Sequence, residues 1–200
     1  MQESICELSK KYITDLFHDR IAAKLYFHNL GHTTTVVYAA ELIGQGLGLK
    51  ASEINLVKVA AWFHDAGMLK STKDHETASA DLAEKALQSW GVNTTEIEKV
   101  IGCIKATKLP QSPTSLLEEV ICDADLYHLS QADYWHRNTQ LKQEFVAMGI
   151  CGNSNFDWLK NNVRFLMSHE YFTPFAKSVL EPLKQKHIKE NLLRLNQIVK

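Results

Sequence analysis

Cysteine is scarce in this sequence, and charge of one sign is not in excess. The four cysteines, Cys6, Cys103, Cys122 and Cys151, stand far apart with no C-x-x-C spacing, which excludes a zinc ribbon, a redox motif and a disulfide scaffold. They read as small buried apolar residues in a reducing compartment. Four prolines and nine glycines among 200 residues exclude a collagen-like fibre. Twenty-two Lys plus Arg against 23 Asp plus Glu leave a formal charge of -1, so no basic field grips a nucleic-acid backbone. No apolar run reaches the ~18 residues of a membrane span. The start, MQESICELSKKYITDLF, alternates charged with apolar residues at helical spacing, unlike a signal or transit peptide. These absences predict a cytoplasmic protein with no membrane partner and no strong nucleic-acid signal.

What is present is 45% hydrophobic and 22% charged residue content over 200 residues, enough to close one globular core. Apolar residues recur every three or four positions almost throughout, and strand-like alternation does not persist, so an all-α fold is expected. Helices are expected from Ser4 to Arg20, from Asn29 into the Gly44, Gly46, Gly48 cluster, and from Glu53 to Ala66 behind an Ser52 N-cap. The centre of that third helix, Leu56 to Phe63, is nearly all apolar and predicts burial on most sides. Further helices are expected over His75 to Trp90, stopping at Gly91, and over Glu96 to Lys108, opened by a Thr95 and Glu98 capping box. Leu109 to Ser115 reads as an irregular connection. A helix then runs through Cys122 to Leu126, another spans about Gln140 to Met148, and a loop covers Gly149 to Asn155. Two C-terminal helices parted near Pro174 complete the chain. Residues 1–200 are expected to form a single domain, with a motif-bearing core over 26–145 and the helices of 155–200 packed on it.

Histidines beside carboxylates inside apolar stretches carry the chemistry. His28 and His32 lie four apart and share one helix face, a spacing suited to metal binding but weak evidence alone. His64 and Asp65 end an apolar helix, where an unpaired carboxylate is costly; a lysine partner, a capping role or a shared cation would each compensate it. Asp123 and Asp125 sit in another apolar helix, and one of them must face inward. His75 and Glu76 open a helix, where His75 faces either solvent or a pocket. Lys70, Lys73, Lys105 and Lys108 are candidates for phosphate binding, although such lysines are most often simply solvated.

Tyr26-Phe27-His28-Asn29-Leu30-Gly31-His32-Thr33, then Trp62-Phe63-His64-Asp65, then Asp123-Ala124-Asp125-Leu126 resemble the H…HD…D signature of the HD-domain metal-dependent phosphohydrolases. His75 to Ala80, Cys103 to Thr107 and Leu141 to Phe145 are similar to a bacterial branch of predicted HD phosphohydrolases, including HD domains associated with cyclic-nucleotide signalling. The resemblance spans Tyr26 to Phe145 and implies a helical HD fold. It also implies that His32, His64, Asp65 and Asp125 bind one divalent metal ion, with Asp123 as the alternative to Asp125. Mixed imidazole and carboxylate ligation suits manganese, iron, cobalt, nickel or zinc better than calcium, and magnesium stays open. In HD-fold cyclic-nucleotide phosphodiesterases the His of a Y-H-N-x-x-H motif protonates the leaving oxygen; here Phe27 separates Tyr26 from His28 while the H-N-x-x-H portion is intact, so the resemblance implies His28 as the general acid, with Asp65 or Asp125 orienting water. Some HD hydrolases use a Glu three residues beyond the dyad, where this chain has Met68. The acid pair that follows the dyad in guanosine-tetraphosphate hydrolases is also missing, since Ala66-Gly67-Met68-Leu69 stands there.

The expected activity is therefore hydrolysis of a phosphoester, as a phosphomonoesterase or phosphodiesterase, on a nucleotide or other small phosphorylated metabolite. The rivals are an HD-fold two-iron oxygenase, which needs extra histidine ligands between His64 and Asp125, where only His75 offers itself, and a noncatalytic nucleotide-binding or signalling module. A single tight metal is expected, with His75 and Asp123 the candidates for a weaker second site. A homo-oligomer is left open.

Overall fold

A computed structural model describes residues 4–19 and 25–198. Every regular element among them is helical, as the three-to-four-residue periodicity predicts. The helices are α1 (Ile5–Asp19), α2 (Leu30–Gly46), α3 (Ala51–Phe63), α4 (His75–Ser89), α5 (Thr94–Ala106), α6 (Leu116–Asp125), α7 (Tyr134–Ala147), α8 (Asn155–Ser168), α9 (Pro174–Val179) and α10 (Glu181–Ile198). Short 3-10 turns cover Ala66–Leu69 and Leu126–Ser130. No described helix is long and apolar enough to cross a membrane.

The described chain divides into two compact units, one of residues 4–19 and 28–126, the other of residues 25–27 and 127–198. In the first, α3 lies against α1, α2, α4, α5 and α6. Its Val57, Val59, Ala60, Ala61, Trp62 and Phe63 are all buried, which is why this helix is apolar around most of its circumference. Each large side chain buried there contributes ~1.5–3 kcal/mol. Because α2 packs on both α3 and α6, its first turn can meet the last residues of the other two.

In the second unit Glu144 of α7 is fully buried and accepts the Phe27 backbone N–H at 2.7 Å. The Phe27 ring meets His128 edge-on at 5.0 Å. Tyr134 of α7 stacks on His187 of α10 at 4.6 Å, and its hydroxyl accepts from Asn191 at 3.1 Å. Lys184, 1% exposed, pairs with Glu181 at 2.9 Å and donates to the His169 carbonyl at the end of α8.

Several helix ends differ from the sequence expectation, each for a local reason. Lys50, not Ser52, is the N-cap of α3, because the Glu53 carboxylate accepts the Lys50 N–H at 3.0 Å and starts the helix two residues earlier. That helix stops at Phe63, and the residues expected to continue it to Ala66 turn into the 3-10 segment. Asn93 caps α5 by accepting from Glu96 N at 3.0 Å, so Thr95 lies inside the helix; α5 ends at Ala106, short of Lys108. The expected Arg20 end of the first helix lies outside the described residues. α7 begins at Tyr134 rather than near Gln140, since Tyr134 and Trp135 are followed by five polar residues and no apolar stripe marks the first two turns. The C-terminal region holds three helices, not two, because Thr173 caps the short α9 by accepting from Ala176 N at 3.1 Å. Gly91 has the expected left-handed backbone at φ +74° after α4.

Candidate metal centre

Three helix ends of the first unit deliver the histidines and acids that the spacing singled out. Asn29 caps α2, its side chain accepting from Gly31 N at 2.9 Å and His32 N at 3.2 Å, which sets the first turn carrying His32. At the end of α3, the His64 ring turns its Nδ1 to the Ala61 carbonyl at 2.7 Å. A carbonyl can only accept, so Nδ1 carries a proton and the neutral ring presents a lone pair at Nε2. Asp65 then leaves helical geometry at φ -106°, ψ 3°. Consecutive helical residues point about 100° apart; the break at Asp65 is what lets its carboxylate lie beside the preceding imidazole.

His64 Nε2 faces His32 Nε2 at 3.4 Å. Asp65 Oδ2 lies 3.0 Å from His64 Nε2 and 3.4 Å from His32 Nε2. Asp125 Oδ1, at the end of α6, lies 3.1 Å from His32 Nε2 and 3.4 Å from His64 Nε2. His32, His64 and Asp125 each offer a ligand atom within 4.8 Å of the others. His32, His64 and Asp65 are buried, whereas the Asp125 side chain keeps 19% exposure. Although Asp65 Oδ2 approaches both rings, it is buried without a well-aligned hydrogen bond. Such an atom is costly unless something positive meets it.

These residues fit a divalent cation. Ligand atoms about 2.1 Å from one ion stand ~3.0 Å apart at right angles and ~3.4 Å apart at tetrahedral angles, the separations seen here. Two imidazoles and two carboxylates also form the borderline donor set of first-row metals. The carboxylates also make this pocket one that favours positive charge, carried by the His64 ring where no cation displaces its proton. Burial opposes a charged ring at both histidines; at His32 it prevails and lowers the pKa, while at His64 the Asp65 and Asp125 carboxylates outweigh it and hold the ring well above its ordinary value. Burial likewise opposes ionised Asp65 and Asp125, yet the neighbouring imidazoles hold both well below the usual carboxylate range.

A second group of side chains meets the other oxygen of Asp65. His75 Nε2 lies 3.4 Å from Asp65 Oδ1 and 3.6 Å from Glu76 Oε1, so His75 faces the pocket rather than bulk solvent. Burial works against its charged form, but Asp65 and then Glu76 outweigh that and raise its pKa. The His28 ring stands 5.9 Å from His32 and 6.1 Å from His75. Asp123 is fully buried on α6, about 200° around the helix from Asp125.

Lys70 and Lys73 line a 330 Å³ cleft with Asp74, Asp81 and Lys85. Lys108 is ion-paired with Asp74, and Lys105 is exposed on α5. Met68, where some HD hydrolases place a Glu, is buried in the 3-10 turn.

Two supports of the site have no chemical signature in the sequence. One is the Ala61 carbonyl that sets the His64 tautomer. The other is Gly67, whose N–H donates to Ser79 Oγ at 2.8 Å and where a Cβ would stand 2.1 Å from the His75 carbonyl oxygen. A glycine directly after the dyad is the one sequence feature that could have flagged such a close approach.

The chain is similar over its length to two solved structures. One is a predicted HD superfamily hydrolase from an uncultured Thermotogales bacterium, with a TM-score of 0.62 and 18% identity over 98% of this chain and 91% of that one. The other is Bacillus subtilis YpgQ in complex with ADP, with a TM-score of 0.63 and 18% identity over 93% of this chain and 94% of that one. No curated protein matches the sequence significantly. The sequence profile of the HD domain matches residues 29–130, just over half of the chain and the stretch that carries His32, His64, Asp65, His75 and Asp125, so the protein belongs to the HD domain family.

Proposed function

We propose that this protein is a metal-dependent phosphohydrolase acting on a phosphoester of a nucleotide or other small phosphorylated metabolite. The observation that carries the reading is the four-atom cluster of His32 Nε2, His64 Nε2, Asp65 Oδ2 and Asp125 Oδ1, buried on one side and open at Asp125. In the proposal these four residues hold one divalent cation. Such an ion, when bound, supplies the Lewis acidity that polarises a phosphoryl group and makes a water molecule more acidic. The chain supplies the rest. Asp65 and Asp125 orient the attacking water by accepting its hydrogens. His28, which lies just ahead of the Asn29 cap of α2 and so outside the helix expected to carry it with His32, donates a proton to the leaving oxygen. His75, held between Asp65 and Glu76, fixes the Asp65 carboxylate and contacts the substrate. The nucleotide class is favoured by the complex of YpgQ with ADP. A cytoplasmic setting is favoured by the free thiols of Cys6, Cys103, Cys122 and Cys151.

One observation favours a second reading. Asp65 turns Oδ1 toward His75 and Oδ2 toward His32 and His64, the arrangement of a carboxylate able to bridge two ions, and this keeps the two-iron oxygenase as the rival. The test is a screen of nucleotides, cyclic nucleotides and sugar phosphates with protein purified without chelator, beside Asp125→Asn. Release of phosphate or opening of a phosphodiester, abolished by chelation and in the variant, is expected. Dioxygen consumption by an iron-loaded form that hydrolyses none of these substrates would overturn the hydrolase in favour of the oxygenase.

A further inference from the structure

Within the second unit alone, α7, α8, α10 and the connection before α8 enclose a cleft of 610 Å³. That volume lies in the range of small-molecule sites. Its walls hold Trp135, Trp158, Lys142 and Arg194, and none of its lining residues is a carboxylate. Most of these groups are held in place before any ligand arrives. The Arg194 guanidinium lies 3.6 Å over the Trp135 ring. The Trp158 indole N–H donates to Asn138 Oδ1 at 2.8 Å, and Phe145 braces the Trp158 ring edge-on at 6.0 Å. Lys142 donates to the Asn153 carbonyl at 3.0 Å and to the Asn155 side chain, both neutral acceptors. Neither cation has a carboxylate within ion-pair distance among the described residues. Glu190, one turn before Arg194, directs its oxygen to the Trp135 indole N–H at 2.8 Å.

We propose that this cleft is a second small-molecule site, and that it takes a planar, anionic ligand of the nucleoside-phosphate class. Lys142 and Arg194, the second partly offset by the Glu190 carboxylate one turn away, give the cleft two fixed cations, and phosphate oxygens accept from both ammonium and guanidinium donors. The stacked guanidinium and indole present flat faces suited to a heteroaromatic ring. The amides of Gln143 and Gln197 add donors and acceptors that can read its edge. A simple sugar would leave both charges unmet, and an apolar ligand would bury them. The site is independent of the proposed hydrolysis, since every residue that lines it lies in the second unit and every ligand atom of the cation cluster in the first.

Calorimetric titration of the full chain with AMP, adenosine and inorganic phosphate, in the presence of a chelator, tests the proposal. Lys142→Gln, Arg194→Gln and Asp65→Asn are measured alongside, with circular dichroism confirming that each is folded. Saturable AMP binding is expected, tighter than that of adenosine or phosphate. It should weaken by at least about tenfold in each cleft variant, the equivalent of one charge-assisted contact, and stay unchanged in Asp65→Asn. Binding of AMP that persists in both cleft variants, or that disappears in Asp65→Asn, overturns the assignment. So does the absence of AMP binding, or phosphate binding as tightly as AMP.

Discussion

Asp65 faces two ways, and its two oxygens separate the roles assigned to its neighbours. Oδ2 joins the His32, His64 and Asp125 cluster, while Oδ1 meets His75. Asp65→Ala should therefore lose the metal outright, because a buried anionic corner of the cluster is gone. His28→Ala should keep the metal and lose turnover by ~10² to 10⁴, the usual cost of a missing general acid. Elemental analysis and steady-state kinetics on both variants check this, and equal metal loss in the two would make His28 a ligand. That His64, Asp65 and one of Asp123 and Asp125 need a partner was legible in the sequence, because charge in an apolar helix is costly; the choice of His32 and of Asp125 came from the family resemblance. The approach of His75 to Asp65 was not legible. It depends on how α4 docks, and a histidine opening a helix reads equally well as solvated.

At the scale of elements, α4 is placed by a contact that tolerates no side chain. A Cβ on Gly67 would meet the His75 carbonyl at 2.1 Å and Ser79 N at 2.8 Å, so Gly67→Ala must push the 3-10 turn away from α4. A cost of about 1–3 kcal/mol is expected from such overpacking, read by chemical denaturation. Ser79→Ala should cost a similar ~1–3 kcal/mol by leaving the buried Gly67 N–H unpaired. The α8 end supplies a pH-dependent counterpart. Burial and the adjacent Lys184, whose Nζ lies 3.2 Å from His169 Nδ1, push the His169 pKa down to about 4. The folded protein thus resists protonating this ring, whereas the unfolded chain protonates it near its ordinary value of about 6.5. Below that value the unfolded state binds more protons, so stability falls as the pH drops from about 6.5 toward 4 and this contribution levels off beneath. Denaturation at neutral and mildly acidic pH should show a larger loss for the native chain than for His169→Gln; equal losses would remove His169 as a cause. Helix boundaries were legible where an apolar stripe or glycine stop was present, as at α4 and Gly91. They were hidden where a polar cap decided the start, as at Asn93, or where polar turns carry the helix, as at the beginning of α7.

For the whole molecule, metal and fold are linked through the first unit, because all four proposed ligands come from its helix ends. A cation that binds only the folded cluster raises stability by about 2.7 kcal/mol at a hundredfold excess over its dissociation constant. Scanning calorimetry with and without chelator should show that shift. Residues 1–200 acting as the single expected domain predict one transition that moves as a whole, and two transitions of which chelator moves one would contradict that expectation. The all-α class follows from periodicity repeated along the chain, and α3 takes the centre of its unit because it is apolar on most sides. The division into two units, with residues 25–27 grouped with 127–198, left no composition change or linker to read. It rests on contacts such as Phe27 N with Glu144, which join positions 117 residues apart. The central claim is the location of the cation, and anomalous diffraction from crystals grown with manganese measures it directly. One strong peak among His32 Nε2, His64 Nε2, Asp65 Oδ2 and Asp125 Oδ1 is the predicted result; a peak bound by Asp123 in place of Asp125, or no peak at this cluster, would contradict the account.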